Sequence, residues 1–173
     1  MKRLFPALLL ILCLICGIAA AETDTEVIEI NWSDYEGILT QNLPGKIVEM
    51  DNYTFKYYLP DALTKTDAEG YEFYYKSSDG YEYAAQVTEL AAEYTNDELN
   101  GYAKSLSANS AFDRVTKILV NGLNAVIFTT TGENPVACCS FEVEGGQLMT
   151  FYFSPAGTAE DFALATAFFA GIQ

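Results

Sequence analysis

The most informative absence in this 173-residue sequence is histidine, which does not occur at all. Without an imidazole the chain has no Ser-His-Asp or Cys-His nucleophile and no histidine-based metal site. The motifs G-x-S-x-G, G-x-G-x-x-G and G-x-x-x-x-G-K-[ST] are also missing, which excludes a nucleophile elbow, a dinucleotide loop and a P-loop. We therefore predict no catalytic residue of these classes and no cofactor.

Basic residues are scarce. Lys and Arg total 9 against 24 Asp and Glu, which gives a net charge of −15. Such a chain repels phosphate backbones and anionic lipid surfaces, and no local basic patch offsets the repulsion. We predict that it binds no nucleic acid. Aromatic residues make up 14% of the sequence, which distinguishes it from an acidic disordered tail and predicts a folded core.

The longest apolar run lies at the N-terminus, at residues 8–18, after the basic pair Lys2 and Arg3. It is too short to span a bilayer and is followed by three alanines, a small-residue site that fits signal peptidase. We predict a signal peptide over residues 1–21, and hence a secreted protein with no stable membrane insertion after cleavage. Cleavage removes two of the nine basic residues and no acidic one, which changes the net charge from −15 to −17.

Two cysteines in this segment raise the alternative of a lipid anchor. Cys13 and Cys16 follow Leu12 and Ile15, which are bulky where a lipobox requires a small residue. Secretion without lipidation is therefore the favoured interpretation. The other two cysteines, Cys138 and Cys139, are adjacent, and a vicinal disulfide demands a distorted backbone, so we predict two free, partly buried thiols.

The hydrophobic pattern predicts one α+β domain over residues 22–173, with a mainly antiparallel sheet and helices on its faces. A capping box at Ser33 and Glu36 marks a first helix, Thr95 precedes a second over 96–108, and Thr158 precedes a third over 159–170. Strands are predicted at 27–32, 46–50, 53–59, 70–76, 81–90, 114–120, 125–131, 136–143 and 147–153.

This order of elements resembles a known architecture. The stretches that carry the likeness are FKYYLP at 55–60, VNGL at 120–123 and FYFSP at 151–155, with a helix between the first two. They are similar to secreted, uncharacterised bacterial proteins with a PsbP-like fold, in which an antiparallel sheet lies between helices. The resemblance implies a PsbP-like α/β sandwich and a non-catalytic binding or assembly role, and it transfers no functional residue.

Tyrosine and phenylalanine are dense in the two predicted hairpins over 46–59 and 70–90. Alternation places Tyr57 on one face of its strand and places Tyr71 and Tyr75 together on one face of theirs, so these side chains are predicted to be core. Tyr58 and Tyr74 lie on the opposite faces. If those faces are open, both tyrosines form a platform for a sugar ring or a partner's side chains, and if a helix covers them they are core.

Carboxylates offer two further sites. Asp61, Asp67 and Glu69 follow one predicted strand and are candidate calcium ligands, although their spacing is not that of an EF-hand loop. Glu72 and Glu82 are a candidate acid and base pair on facing strands. The favoured function is a non-catalytic binding module for a protein or carbohydrate partner. The alternative is a carboxylate-dependent enzyme that acts on extracellular glycan or cell-wall material.

Overall fold

The structure is a computed structural model that describes residues 27–95, 97–144 and 146–173. The predicted signal peptide, its cleavage site, Cys13 and Cys16 lie outside these residues. The helices are α1 (Trp32–Asn42), α2 (Asn100–Ser107) and α3 (Ala159–Ala170). The strands are β1 (Ile28–Ile30), β2 (Gly45–Glu49), β3 (Lys56–Pro60), β4 (Leu63–Lys65), β5 (Phe73–Ser77), β6 (Glu82–Glu89), β7 (Phe112–Val120), β8 (Leu123–Thr130), β9 (Ala137–Val143) and β10 (Gln147–Ser154).

Eight of these strands form one sheet in the order β1-β7-β8-β9-β10-β6-β5-β4. Every pairing is antiparallel except that of β1 with β7, which is parallel. Strands β2 and β3 pair only with each other, as a separate antiparallel hairpin. The predicted α+β class with a mainly antiparallel sheet is confirmed.

The first face of the sheet is covered by α3 and by the β2–β3 hairpin. Helix α3 is buried along nearly its whole length because apolar side chains occupy almost all of its circumference. Its predicted cap residue, Thr158, forms a capping box with Asp161. From the hairpin, Tyr57 stacks on Phe73 with ring centroids 4.3 Å apart, which fixes β3 above the sheet.

The second face is covered on one side only, by α2. Leu99 and Leu106 of the α2 region are buried in a cluster with Val126 and Phe128 of β8. The Tyr102 hydroxyl lies 3.4 Å from the Ser140 hydroxyl of β9. Helix α2 therefore lies over β7, β8 and β9, while β6 and β5 lie beyond it on the far side of β10.

The cap of α1 differs from the prediction. The helix begins at Trp32, and no side chain of Asn31, Ser33 or Glu36 caps it, so the predicted Ser33–Glu36 capping box is wrong. The Trp32 N–H instead donates to the side-chain oxygen of Asn121 at 2.7 Å. A residue 89 positions away supplies the cap, which no local sequence pattern indicates.

Helix α2 begins at Asn100, four residues later than predicted. Glu98 and Leu99 have φ angles of 55° and 63°, a left-handed conformation that cannot continue a right-handed helix. The side-chain oxygen of Asp97 accepts from the Gly101 N–H at 2.7 Å and supplies the cap predicted for Thr95.

Several strand boundaries also differ from the prediction. The chain between β2 and β3 is a six-residue connection rather than a two-residue turn, and Met50 N–H donates to the Phe55 carbonyl across it at 3.0 Å. Strand β5 begins at Phe73 instead of at residue 70, and β4 was not predicted. The short β4 segment is three residues long and pairs with β5 at the edge of the sheet.

The adjacent cysteines are free, as predicted, but both are fully buried rather than partly buried. They point to opposite faces of β9, with Cys139 in the main core and Cys138 in the cluster beneath α2. Burial raises the pKa of the Cys138 thiol to about 12. Both thiols therefore stay protonated and unreactive in the folded protein at neutral pH.

A fully buried hydroxyl without a partner predicts a stabilising substitution. The Tyr83 side chain is 0% exposed and its hydroxyl makes no hydrogen bond to any residue that the structure describes, whereas the hydroxyls of Tyr57 and Tyr75 lie 3.2 Å apart. We expect Tyr83→Phe to raise the free energy of unfolding by about 1 kcal/mol, because it removes an unpaired polar group. Tyr57→Phe is the matched control and should lower it by about 1 kcal/mol. Urea denaturation measures both, and a Tyr83→Phe protein less stable than wild type contradicts the assignment.

Candidate functional site

The uncovered part of the second sheet face carries a group of partly exposed tyrosines. We call Tyr71, Tyr74 and Tyr152 the tyrosine patch. Tyr71 is 39% exposed, and Tyr74 and Tyr152 are half-buried. Tyr71 precedes β5, Tyr74 lies within β5, and Tyr152 lies within β10, so the patch spans the side of the sheet that α2 leaves open.

The strand register fixes the spacing of two of these rings. Ala84 on β6 is opposite Tyr74 on one side and opposite Tyr152 on the other. The three residues therefore form one row across three strands, with side chains on the same face. Ala84 is the residue between the two tyrosines in this row, and its methyl group is small enough to leave room above it. Ala84 itself is buried.

Tyr71 contacts both of the other rings. Its ring centroid is 5.2 Å from that of Tyr74 and 6.1 Å from that of Tyr152, with interplanar angles of 67° and 77°. Both pairs are edge-to-face arrangements, a favourable geometry for aromatic rings. The patch is therefore a packed cluster of three rings and not a flat platform.

Polar side chains surround the patch along β5, β6 and β10. Lys76 Nζ lies 2.8 Å from Glu82 Oε1 and 5.1 Å from the centroid of the Tyr74 ring. The hydroxyl of Ser154 is 3.5 Å from Glu82. Hydrogen bonding by Lys76 and then by Tyr74 lowers the pKa of Glu82, so this carboxylate is charged and already paired at neutral pH.

The hydroxyl of Tyr152 donates to Gln86 Oε1 at 3.3 Å. Burial raises the pKa of Tyr152 to about 12, and the neighbouring Cys138 adds to the shift. Burial also raises the pKa of Tyr74, and its contact with Glu82 raises it further. Both phenols therefore remain neutral hydrogen-bonding groups at physiological pH, so the patch offers apolar ring surface together with neutral donors.

Tyr58, the other candidate platform residue, is in the core. It is 1% exposed, its ring lies 5.1 Å from that of Trp32 in α1, and its hydroxyl donates to the Leu43 carbonyl at 2.5 Å. A Cβ added to Gly171, just after α3, would approach the Tyr58 Cβ to 2.6 Å. The chain around α1 and α3 thus covers this face of β3, which removes Tyr58 from the candidate site.

Replacing Tyr58 and replacing Tyr74 should change the free energy of unfolding by different amounts. We expect Tyr58→Ala to lower the free energy of unfolding by about 3–5 kcal/mol, as for other large buried aromatic side chains. Tyr74→Ala should cost about 1 kcal/mol, because the ring is only half-buried and packs against one neighbouring ring. Chemical denaturation of the two variants beside wild type measures the difference. Equal losses of 3 kcal/mol or more would place Tyr74 in the core as well.

The candidate calcium ligands do not converge. Asp61, Asp67 and Glu69 are all exposed, and β4 separates Asp61 from the other two. Among residues 27–95, 97–144 and 146–173, no three acidic or cysteine side chains are grouped to hold a metal ion. The predicted loop contains β4, and the metal-site hypothesis is not supported.

The candidate acid and base pair does not form either. Lys76, and not Glu72, is opposite Glu82 in the β5–β6 register. The Glu72 N–H donates to the Ala85 carbonyl, which places Glu72 at the other end of the pairing. Glu72 comes four residues before Lys76, the partner of Glu82. In extended chain this is a distance of about 13 Å.

Comparison with known proteins supports the architecture. No family model matches the sequence, and no curated protein matches it. The solution structure of cyanobacterial PsbP (CyanoP) from Synechocystis sp. PCC 6803 superposes with a TM-score of 0.52 at 13% sequence identity. The match covers 74% of this chain and 91% of that one. The chain has a PsbP-like fold. At this identity the likeness establishes the fold alone.

A second structure, from Bacteroides thetaiotaomicron VPI-5482, matches with a TM-score of 0.43 and 16% identity. The match covers 69% of this chain and 44% of the Bacteroides chain. Its TM-score is too low to add to the fold assignment. No helix among the described residues of this PsbP-like chain is long and apolar enough to cross a membrane.

The sequence interpretation missed two of the three patch residues. Tyr152 lies between the core residues Phe151 and Phe153, so strict alternation places it on the opposite face and was a usable signal. Tyr71 was predicted to be core with Phe73 and Tyr75. That prediction is wrong because the chain before Phe73 is not a strand, so alternation does not extend to Tyr71.

Proposed function

We propose that this protein is a secreted, non-catalytic binding module whose ligand surface is the tyrosine patch. The observation that carries the proposal is the unequal cover of the sheet. α3 and the β2–β3 hairpin cover one face, and α2 covers only part of the other, which leaves Tyr71, Tyr74 and Tyr152 partly exposed beyond it. Tyrosine suits such a surface because it contributes large apolar area, a polar hydroxyl and few rotatable bonds.

The chemistry of the surrounding residues favours binding over catalysis. The chain has no histidine, and the Glu82 carboxylate is held by Lys76 at 2.8 Å. Glu72, its predicted partner in acid and base chemistry, lies about 13 Å along the sheet. A carboxylate mechanism needs two acids with environments that split their pKa values around one substrate atom, and this pair does not provide that arrangement.

The fold and the N-terminal sequence support the same proposal. A PsbP-like fold is associated with accessory and binding roles, an association that makes a module more plausible than an enzyme without naming its ligand. The predicted signal peptide over residues 1–21 directs the module outside the cytoplasm. The net charge, −15 for the full chain and −17 after the predicted cleavage, disfavours polyanions as ligands for its surface.

Site-specific photo-crosslinking tests the proposal. The crosslinking residue p-benzoylphenylalanine is placed at position 74 and, as a control, at exposed Ile47 on the separate hairpin. Both proteins are incubated with the extracytoplasmic fraction of the producing cells. We expect one discrete product from position 74, absent from position 47, that excess wild-type protein removes and excess Tyr74→Ala protein does not. The same products from both positions would refute a binding role for the patch.

A further inference from the structure

We infer that the tyrosine patch is a ring-binding slot occupied by its own Tyr71, and that a hexose ring of a neutral glycan binds there in place of Tyr71. This inference rests on the proposed function, since it names the class of ligand for the same surface. It depends on three features of the patch: the spacing of its walls, the position of Tyr71, and the pairing of the charges around it.

The walls of the slot are Tyr74 and Tyr152. Both are opposite Ala84 in the strand register, on either side of β6. Two interstrand spacings separate their backbones, a distance of about 10 Å. Side chains at two such positions leave space for one further ring between them, because stacked or edge-on rings approach to about 5 Å. Ala84 forms the floor, and its small side chain keeps the space open.

Tyr71 occupies that space. Its ring centroid is 5.2 Å from that of Tyr74 and 6.1 Å from that of Tyr152, so its ring is in contact with both walls. The patch thus already accommodates one ring that touches both tyrosines. Tyr71 is nevertheless 39% exposed and belongs to no strand.

The chain around Tyr71 allows its replacement without a change in the sheet. Gly70, before Tyr71, has a φ of +85°. Glu72, after Tyr71, is anchored by its N–H, which donates to the Ala85 carbonyl at 2.8 Å. Tyr71 N–H has only a long contact of 3.5 Å, to the Ala68 carbonyl. A rotation of the Tyr71 side chain with its glycine neighbour therefore clears the slot while β5 stays paired.

The ends of the slot favour a neutral, hydroxyl-rich ligand. Glu82 and Gln86 lie on β6 on the same face as Ala84, one to either side of it. The Glu82 carboxylate is neutralised by Lys76, whose ammonium also lies over the Tyr74 ring at 5.1 Å. A cationic partner would have to displace this ammonium, and an anionic one would meet a strongly acidic protein. A sugar ring presents C–H groups to the tyrosines and hydroxyls to Gln86 and Ser154.

The test is titration of the full mature chain, with its tyrosine rings isotopically labelled, by NMR. The probes are chitotetraose, cellotetraose and mannotetraose, with tetralysine as the cationic comparison. We expect one oligosaccharide to shift the ring signals of Tyr74 and Tyr152 and to leave those of buried Tyr83 unchanged. Tyr74→Ala should weaken this binding about tenfold, as expected for loss of one stacking ring.

The decisive variant is Tyr71→Ala, for which the expected effect has the opposite sign. If Tyr71 occupies the slot, its removal tightens oligosaccharide binding by about fivefold. The reason is that the protein with an open slot, which is the form that binds, is no longer the minor population. Weaker binding by Tyr71→Ala would overturn the inference. Urea denaturation of both variants checks that they remain folded under the conditions of the titration.

The remaining outcomes separate the inference from the proposed function. If no oligosaccharide binds, or tetralysine alone shifts Tyr74, the inference is overturned. A protein crosslinked at position 74 under those circumstances leaves the binding function standing with a different ligand. If position 74 also gives no specific crosslink, both proposals fall.

Discussion

Raising the pH from about 9 to about 11 is expected to unfold the domain. In an unfolded chain, tyrosine ionises near pH 10 and cysteine near pH 8.5. Burial raises the pKa of Cys138 and of Tyr152 to about 12, and raises those of Tyr57 and Tyr83 still further. The folded state therefore keeps protons that the unfolded state releases, and stability falls as the pH rises above the unfolded pKa values.

The size of the effect follows from the number of such groups. Each pH unit above the unfolded pKa costs about 1.4 kcal/mol per group that stays protonated in the fold. At pH 11, Cys138 and the three tyrosines together contribute about 7 kcal/mol, which is comparable with the whole stability of a typical domain. Below the unfolded pKa values these groups have no effect, so stability should be level from neutrality to about pH 8.5.

Far-ultraviolet circular dichroism and tyrosinate absorbance, recorded together against pH, measure this transition. We expect both signals to change in one cooperative step. Tyr83→Phe serves as the control, because it removes one of the contributing groups and should move the midpoint to higher pH. Tyrosinate absorbance that rises near pH 10 for most tyrosines while the dichroism stays unchanged would contradict the predicted burial.

Asn121→Ala is expected to lower the free energy of unfolding by about 3–4 kcal/mol. The Asn121 side chain accepts from the Trp32 N–H and donates to the carbonyls of Ala170 and Ile172, at 2.7, 2.8 and 2.6 Å. It thus joins the start of α1 to the end of α3. Alanine leaves these backbone groups without partners and must also adopt a φ of 47°.

Two further variants separate the contributions in the same denaturation experiment. Asn121→Gly loses the side-chain hydrogen bonds but tolerates the positive φ, so it should be about 1 kcal/mol more stable than Asn121→Ala. Asn124→Ala, at an exposed position in the next strand, should be within about 0.5 kcal/mol of wild type. A loss for Asn121→Ala no greater than that for Asn124→Ala would disprove the bridging role.

The elements that depend on local chemistry were predictable from the sequence. Helix α3 has the predicted bounds because Thr158 and Asp161 form a capping box and the segment is apolar throughout. The turn at Asn121 and Gly122, with φ angles of 47° and 82°, joins β7 and β8 where the Asn-Gly pair predicted it. In these cases the residues that determine the structure are neighbours along the chain.

The features that depend on distant contacts were not predictable. Alternation treated Tyr58 and Tyr74 alike, but Trp32 and Gly171 cover Tyr58 and no element covers Tyr74 to the same extent. The cap of α1 comes from Asn121, far along the chain. The patch itself joins Tyr74 of β5 and Tyr152 of β10 with Tyr71 from a loop, an arrangement that only the strand order brings together.

The most direct test of the tyrosine patch as a binding surface is hydroxyl-radical footprinting with mass spectrometry. The protein is oxidised alone and in the presence of the cell fraction to which position 74 crosslinks, with exposed Ile47 as the internal reference. We expect Tyr74 to be oxidised in the free protein and protected in the mixture, while Ile47 reacts equally in both and buried Tyr58 reacts in neither. Unchanged oxidation of Tyr74 in the mixture would contradict the account.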